Sequence, residues 1–285
     1  MELTFQHFNF VAELMQKEAA IVLASGKEYL VESRLKPLAT KGGYETVGEF
    51  ITAAAKVREN GSYALRKQII EALTINETSW FRDREPFSAL TNLVIPTLMQ
   101  NITKRPIRVW SAASSSGQEP YSIAMQLDKA LPPEQEYEVF ATDISMEMVE
   151  RTRRATYNQL EINRGLPVGD LVEYFERVGT DWHVIDRIKQ RVTVEQLNLA
   201  HPFPLMVPFD VVYLRNVLIY FAPETKAQVL DRIRKVLRPG GWLQLGAAET
   251  TVGIESDFER VPVGRTAIYR APAIDLLPVK EVKAC

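Results

Sequence analysis

The chain has almost no cysteine: one residue in 285, Cys285. That excludes an intramolecular disulfide and a cysteine metal cluster, and it fits a reducing compartment. It also lacks any apolar run long enough to span a bilayer, and the opening MELTFQHFNFVAEL lacks the basic-then-apolar order of a secretory leader. A cytoplasmic protein with no membrane insertion is expected. Charge of one sign is missing too: 34 Lys and Arg against 36 Asp and Glu give a formal net charge of −2 and no global attraction to nucleic acid. His7, His183 and His201 are scattered without ligand spacing, so no metal is expected.

The most informative absence is local. RVWSAASSSGQEPYSIAM, residues 108–125, has the form of a nucleotide-binding turn. An apolar strand runs into small residues, turns at Gly117 and continues as an apolar-periodic helix. Yet the spaced glycines of G-x-G-x-x-G are not there, and Glu119 stands where a pyrophosphate would sit.

Around this stretch the periodicity divides the chain. Residues 4–73 read as about four short helices punctuated by Gly26, Gly42-Gly43 and Gly61. Phe87, Leu90, Leu93, Val94 and Leu98 predict a further helix ending before Pro106. From residue 107, strands and helices alternate, the signature of a mostly parallel sheet. Strands are expected at 107–112, 137–143, 209–216 and 242–247, with helices at 119–131, 145–155 and 223–237, the last stopping at Pro239-Gly240-Gly241. FERVPVGRTAIYRA (258–271) reads as an antiparallel hairpin and residues 272–285 as a loose tail. DWHVIDRIKQRVTVEQL (181–197) carries too many charges for a buried strand, so a small antiparallel sheet inserted at about 174–197 is expected. The fold class is thus α/β, with domains at 1–73 and 74–285.

In such a sheet, ligands bind beyond the carboxyl ends of the strands. The small side chains from Ser111 to Gly117 would let a flat ligand approach the backbone. Asp143, ending the next strand, can accept hydrogen bonds from ribose hydroxyls or cap the helix beginning near Ser145. Glu119 would repel a pyrophosphate but attract the ammonium and sulfonium of S-adenosylmethionine; it also sits where an acid complements a helix dipole.

Taken together, INETSWFRD (75–83), SAASSSGQEPYSIA (111–124), ATDIS (141–145), LNL (197–199) and RNVLIYF (215–221) resemble the chemotaxis receptor methyltransferases, the CheR family of protein-glutamate O-methyltransferases. The resemblance runs from residue 1 to about 271. It implies an all-α N-terminal domain, a Rossmann-like S-adenosylmethionine-dependent domain with a small inserted β-subdomain, and methylation of receptor glutamates. It places cofactor contacts on Asn76, Thr78, Arg82, Glu119, Asp143, Asn198, Leu199, Arg215 and Asn216, and sets Arg82 and Tyr220 near the transferred methyl group. Against these stand plainer roles: Asn76 and Thr78 as turn or cap residues, Tyr220 as packing for Phe221, and Trp80-Phe81 as core rather than a stacking platform.

The implied partner is the cytoplasmic domain of methyl-accepting chemoreceptors. Lys27, Arg34 and Lys41, seven apart, would share one face of an unbroken helix and could grip an acidic bundle, although Pro37 and the nearby Glu28 and Glu32 weaken that face. The short link between Phe175 and Val184 predicts a member that needs no tether to a receptor C-terminal peptide. Nothing in the sequence demands a dimer, so a monomer is expected. Two other functions are kept open: the same carboxyl methylation on another signalling protein, and a non-catalytic cofactor-binding scaffold on receptors.

Overall fold

The computed structural model describes residues 3–56, 61–100, 105–254, 257–264 and 266–273; the sequence-predicted tail lies almost wholly outside them. Four helices open the chain: α1 (Phe5–Ala19), α2 (Glu28–Lys41), α3 (Val47–Ala55) and α4 (Ser62–Leu73). Their apolar stripes close on one another around Val11, Met15, Leu35, Phe50 and Ile69, all essentially without solvent contact. Thr4 and Thr46 cap α1 and α3 by accepting from the amides of His7 and Glu49. α2 continues through Pro37, so Arg34 and Lys41 do share a helix, while Lys27 sits at its N-cap.

Arg34 is not a free cation on that helix. Its Nη1 donates to the carbonyls of Ala72 and Thr74 at 3.2 and 2.7 Å, tying α2 to the end of α4. The proposed basic face therefore loses its middle member to an internal contact.

After α5 (Glu85–Ala89), a π turn (Leu90–Val94) and α6 (Ile95–Met99), the strands begin: β1 (Ile107–Ala112), followed by α7 (Gln118–Ala130), and β2 (Tyr137–Asp143), followed by α8 (Met146–Arg154). There follow β3 (Thr156–Tyr157), α9 (Gln159–Ile162), α10 (Val168–Tyr174), β4 (Phe175–Val178), β5 (Asp181–Val184), α11 (Asp186–Lys189) and β6 (Val192–Gln196). The chain closes with β7 (Phe209–Leu214), α12 (Pro223–Val236), β8 (Leu237–Leu245), β9 (Glu259–Val263) and β10 (Thr266–Arg270). The main sheet has the order β6-β2-β1-β7-β8-β10-β9. Its first five strands are parallel, and the final pair joins antiparallel.

Two expectations are corrected here. Residues 192–196 are not part of an inserted sheet: β6 pairs in parallel with β2 at the edge of the main sheet. An edge strand needs only one apolar face. Val192 and Val194 supply it, while Thr193, Glu195 and Gln196 stay exposed. The small antiparallel sheet has the order β3-β5-β4, so its third strand comes from Thr156–Tyr157. Likewise, Pro239-Gly240-Gly241 lies within β8, beside a register shift between Phe209 and Val211, with Gly240 at φ 72°.

This topology positions the site. From β1 the chain moves outward to β2 and β6, then returns to place β7 on the other side of β1. The crevice beyond the carboxyl ends of β1 and β7 is therefore the switch point, where an open α/β sheet leaves room for a ligand.

Candidate active site

A pocket opens at that switch point. Its lining includes Asn76, Thr78, Arg82, Glu119, Asp143, Asn198, Leu199, Arg215, Asn216 and Tyr220, which are all ten of the residues singled out from the sequence. They come from five separated segments, and the structure brings every one of them to one cavity.

The loop after β1 forms one side. Ala113, Ser115 and Gly117 all have positive φ (59°, 51° and 96°), which curls the chain before α7 begins. Glycine is required at 117 by packing as well as φ: an added Cβ would lie 2.7 Å from the Tyr157 hydroxyl and 2.8 Å from Thr152 Cγ2. It faces the protein interior, so ligand approach is not its reason. Asp143 holds this loop, accepting from the Ser115 amide at 2.8 Å and the Ser145 amide at 2.9 Å. Ser145, rather than Asp143, caps α8 by accepting from Met148 N. Burial pushes the Asp143 carboxyl pKa up, against the backbone donations from Ser145, Ser115 and Ile144.

Glu119 is paired within the protein. Ser111 Oγ donates to one oxygen at 2.8 Å, and Arg215 Nη1 donates to the other at 2.8 Å. Arg215, the residue after β7, has a side chain only 1% exposed. Its Nη2 donates to the Arg82 carbonyl and to Asp83 Oδ2, both at 2.7 Å. These bonds hold a strained stretch in which Phe81, Asp83 and Arg84 adopt φ of 46°, 67° and 42°. Trp80 and Phe81 anchor it from below as core: Trp80 meets Tyr157 and Phe175 edge-on, and Phe81 meets Phe87.

Arg82 Nη1 donates to the Glu77 carbonyl at 3.0 Å, which leaves most of its guanidinium donors uncommitted. Tyr220 closes a short 3₁₀ turn, Leu218–Tyr220; partial burial raises its hydroxyl pKa, so it stays protonated at neutral pH. Asn198 donates to the Glu18 carbonyl and accepts from the Ala200 amide at 2.9 Å. Helix α1 thus reaches the site, where Ala19 and Ile21 join the lining. Ile21 bridges Phe221, and the Val22 amide donates to the Tyr220 carbonyl at 3.1 Å.

Sequence reasoning missed Asp83, the pairing of Ser111 with Glu119, and the contribution of α1. It also missed Glu249, which lies outside the lining and binds four backbone amides of the site's frame. Among the described residues no cluster of potential metal ligands occurs, and no helix is long and apolar enough to cross a membrane.

A mostly parallel sheet with its ligand crevice at the β1–β7 switch point, lined by a buried acid at the end of β2 and a paired acid at the start of α7, defines a Rossmann-like cofactor-binding enzyme. The domain family described as "CheR methyltransferase, SAM binding domain" matches residues 76–267. A chemotaxis protein methyltransferase of Vibrio parahaemolyticus is 40% identical over 274 residues, covering 93% of this chain and 96% of that protein. Chemotaxis protein methyltransferase Cher2 of Pseudomonas putida is 38% identical, covering 94% of this chain and 98% of that protein. The chemotaxis protein methyltransferase of Escherichia coli is 33% identical, covering 90% and 89% respectively. The chain belongs to the CheR methyltransferase family and is an S-adenosylmethionine-dependent methyltransferase.

The lining fits that cofactor. Backbone amides fill part of the Asp143 carboxylate, and acceptor capacity remains for a further donor. Ser114 Oγ and Arg215 Nε, both buried in the lining, have no partner within the protein.

Proposed function

We propose that the protein transfers a methyl group to glutamate side chains on the cytoplasmic domain of methyl-accepting chemoreceptors, forming glutamate methyl esters in chemotactic adaptation. The observation that carries this reading is the convergence of Glu119, Asp143, Arg215, Arg82 and Tyr220 on one pocket at the switch point. Bound S-adenosylmethionine supplies an electrophilic methyl group on a sulfonium centre.

Asp143 accepts from the ribose hydroxyls through its spare lone pairs. The Glu119–Arg215 pair lies beside the zwitterionic amino-acid end: the acid attracts the ammonium, and the buried Arg215 charge holds that acid in place. Asn76, Thr78, Asn198, Leu199 and Asn216 supply the remaining contacts. Arg82 orients the acceptor carboxylate with its uncommitted donors and also borders the cofactor, while Tyr220 donates to the acceptor or shapes the wall beside it. A glutamate acceptor is already ionised near neutral pH, so no general base is needed and alignment carries the rate.

Residues 1–73 act as an N-terminal helical domain and 74–285 as the methyltransferase domain, working as a cytoplasmic monomer. The two-residue turn between β4 and β5, Gly179-Thr180, supports a protein that needs no receptor tether peptide. The test is transfer of a labelled methyl group to a receptor cytoplasmic fragment lacking its C-terminal tail. Label released as methanol by mild base is the expected result. No base-labile label, with S-adenosylhomocysteine still bound, overturns the acceptor assignment.

A further inference from the structure

We propose that Glu249 is a positioning residue for methyl transfer, holding the Asn216–Tyr220 loop in its working shape from outside the pocket. The inference rests on the site reading above and deepens it. β7 ends at Leu214, and the loop that follows must turn at once: Asn216 adopts φ 57°, and only Leu218–Tyr220 is regular. The amides of Asn216, Val217 and Ile219 therefore need a partner from elsewhere.

Glu249, in the loop after β8, meets that need. Its Oε2 accepts from Asn216 N at 2.7 Å and Gly246 N at 2.8 Å; its Oε1 accepts from Val217 N at 2.9 Å and Ile219 N at 3.3 Å. A carboxylate has about four lone-pair sites, and all of them are engaged here. Glu249 thus has no capacity left for substrate and acts through the loop. Gly246 interlocks with it: an added Cβ would lie 2.7 Å from Glu249 Oε2 and 2.9 Å from Asn216 N. No neutral side chain reproduces this arrangement. Glutamine offers a single oxygen and would turn an NH₂ group towards amide donors.

The test combines native-state hydrogen exchange on the full chain with the variant Glu249→Gln. In the wild type, the amides of Asn216, Val217 and Ile219 should be protected although they lie outside sheet and α-helix. In Glu249→Gln they should exchange at least about ten-fold faster, as bonds lost to a missing acceptor do. Transfer at saturating cofactor and acceptor should fall on the order of 100-fold, with S-adenosylhomocysteine affinity weakened less than about ten-fold, because Asn76, Glu119 and Asp143 come from other segments.

Unprotected wild-type amides overturn the proposal, even where the variant fails to fold. So does a saturated rate within about two-fold of wild type, or a loss that saturating cofactor restores. The wild-type rate on receptor fragments separates the two readings: no transfer with protected amides removes the receptor acceptor but leaves the role of Glu249 in the loop.

Discussion

Glu119 and Arg215 meet at 2.8 Å within the pocket lining, the acid from the first turn of α7 and the base from the residue after β7. The acid expected to attract the cofactor's cationic end is also half of an internal ion pair. Arg215 also serves Asp83, so one buried cation holds two carboxylates and the Arg82 carbonyl.

Arg215→Ala should therefore destabilise the fold by about 2 kcal/mol, because it leaves Glu119 and Asp83 without their buried cation. Adding Glu119→Gln should recover part of that loss. Urea unfolding of the single and double variants measures both.

Asp143 predicts a pH dependence of opposite sign for folding and binding. Its folded pKa is raised by burial, so its contribution to stability is present below the ordinary aspartate pKa and is lost as pH rises through the folded value. Affinity for S-adenosylhomocysteine should run the other way if, as proposed, the ionised form accepts from the ribose. Calorimetric titration from about pH 7 down to about pH 4 should show weakening affinity, and Asp143→Asn should flatten that limb.

Arg82→Ala should lower the saturated transfer rate on the order of 100-fold through lost acceptor alignment. Tyr220→Phe should lower it on the order of 10-fold, the loss of one hydrogen bond. Steady-state kinetics with a labelled methyl donor decide; full turnover in both variants would remove these roles.

Gly117→Ala should destabilise by about 2 kcal/mol, since a Cβ there faces Tyr157 and Thr152 at a left-handed φ. Thermal unfolding reads this directly, and the equivalent change at the open Gly43 should cost less.

Much of the fold was legible because buried parallel strands are nearly continuous apolar runs. IRVWSA and YEVFATD were bounded as they stand in the structure. β6 was not, because an edge strand buries only two valines and its outward Thr193 and Glu195 resemble a surface hairpin. The ten residues singled out through motif resemblance all reach the pocket, but their partners were not legible. Arg34 binds carbonyls across the helix pair, and Glu249 reaches amides some thirty residues earlier in the chain. Bonds from side chain to distant backbone leave no period in a sequence; only the fold reveals them.

The bridge from Ile21 to Phe221, with Asn198 held to the end of α1, gives the N-terminal helices a share in the cavity itself. Exchanging those helices between relatives would replace part of the cavity wall together with their outer surface. A chimera with altered turnover would then report on two things at once. Variants on the outer faces of α2 and α3, away from Ala19 and Ile21, would leave the cavity wall untouched and test that surface by itself.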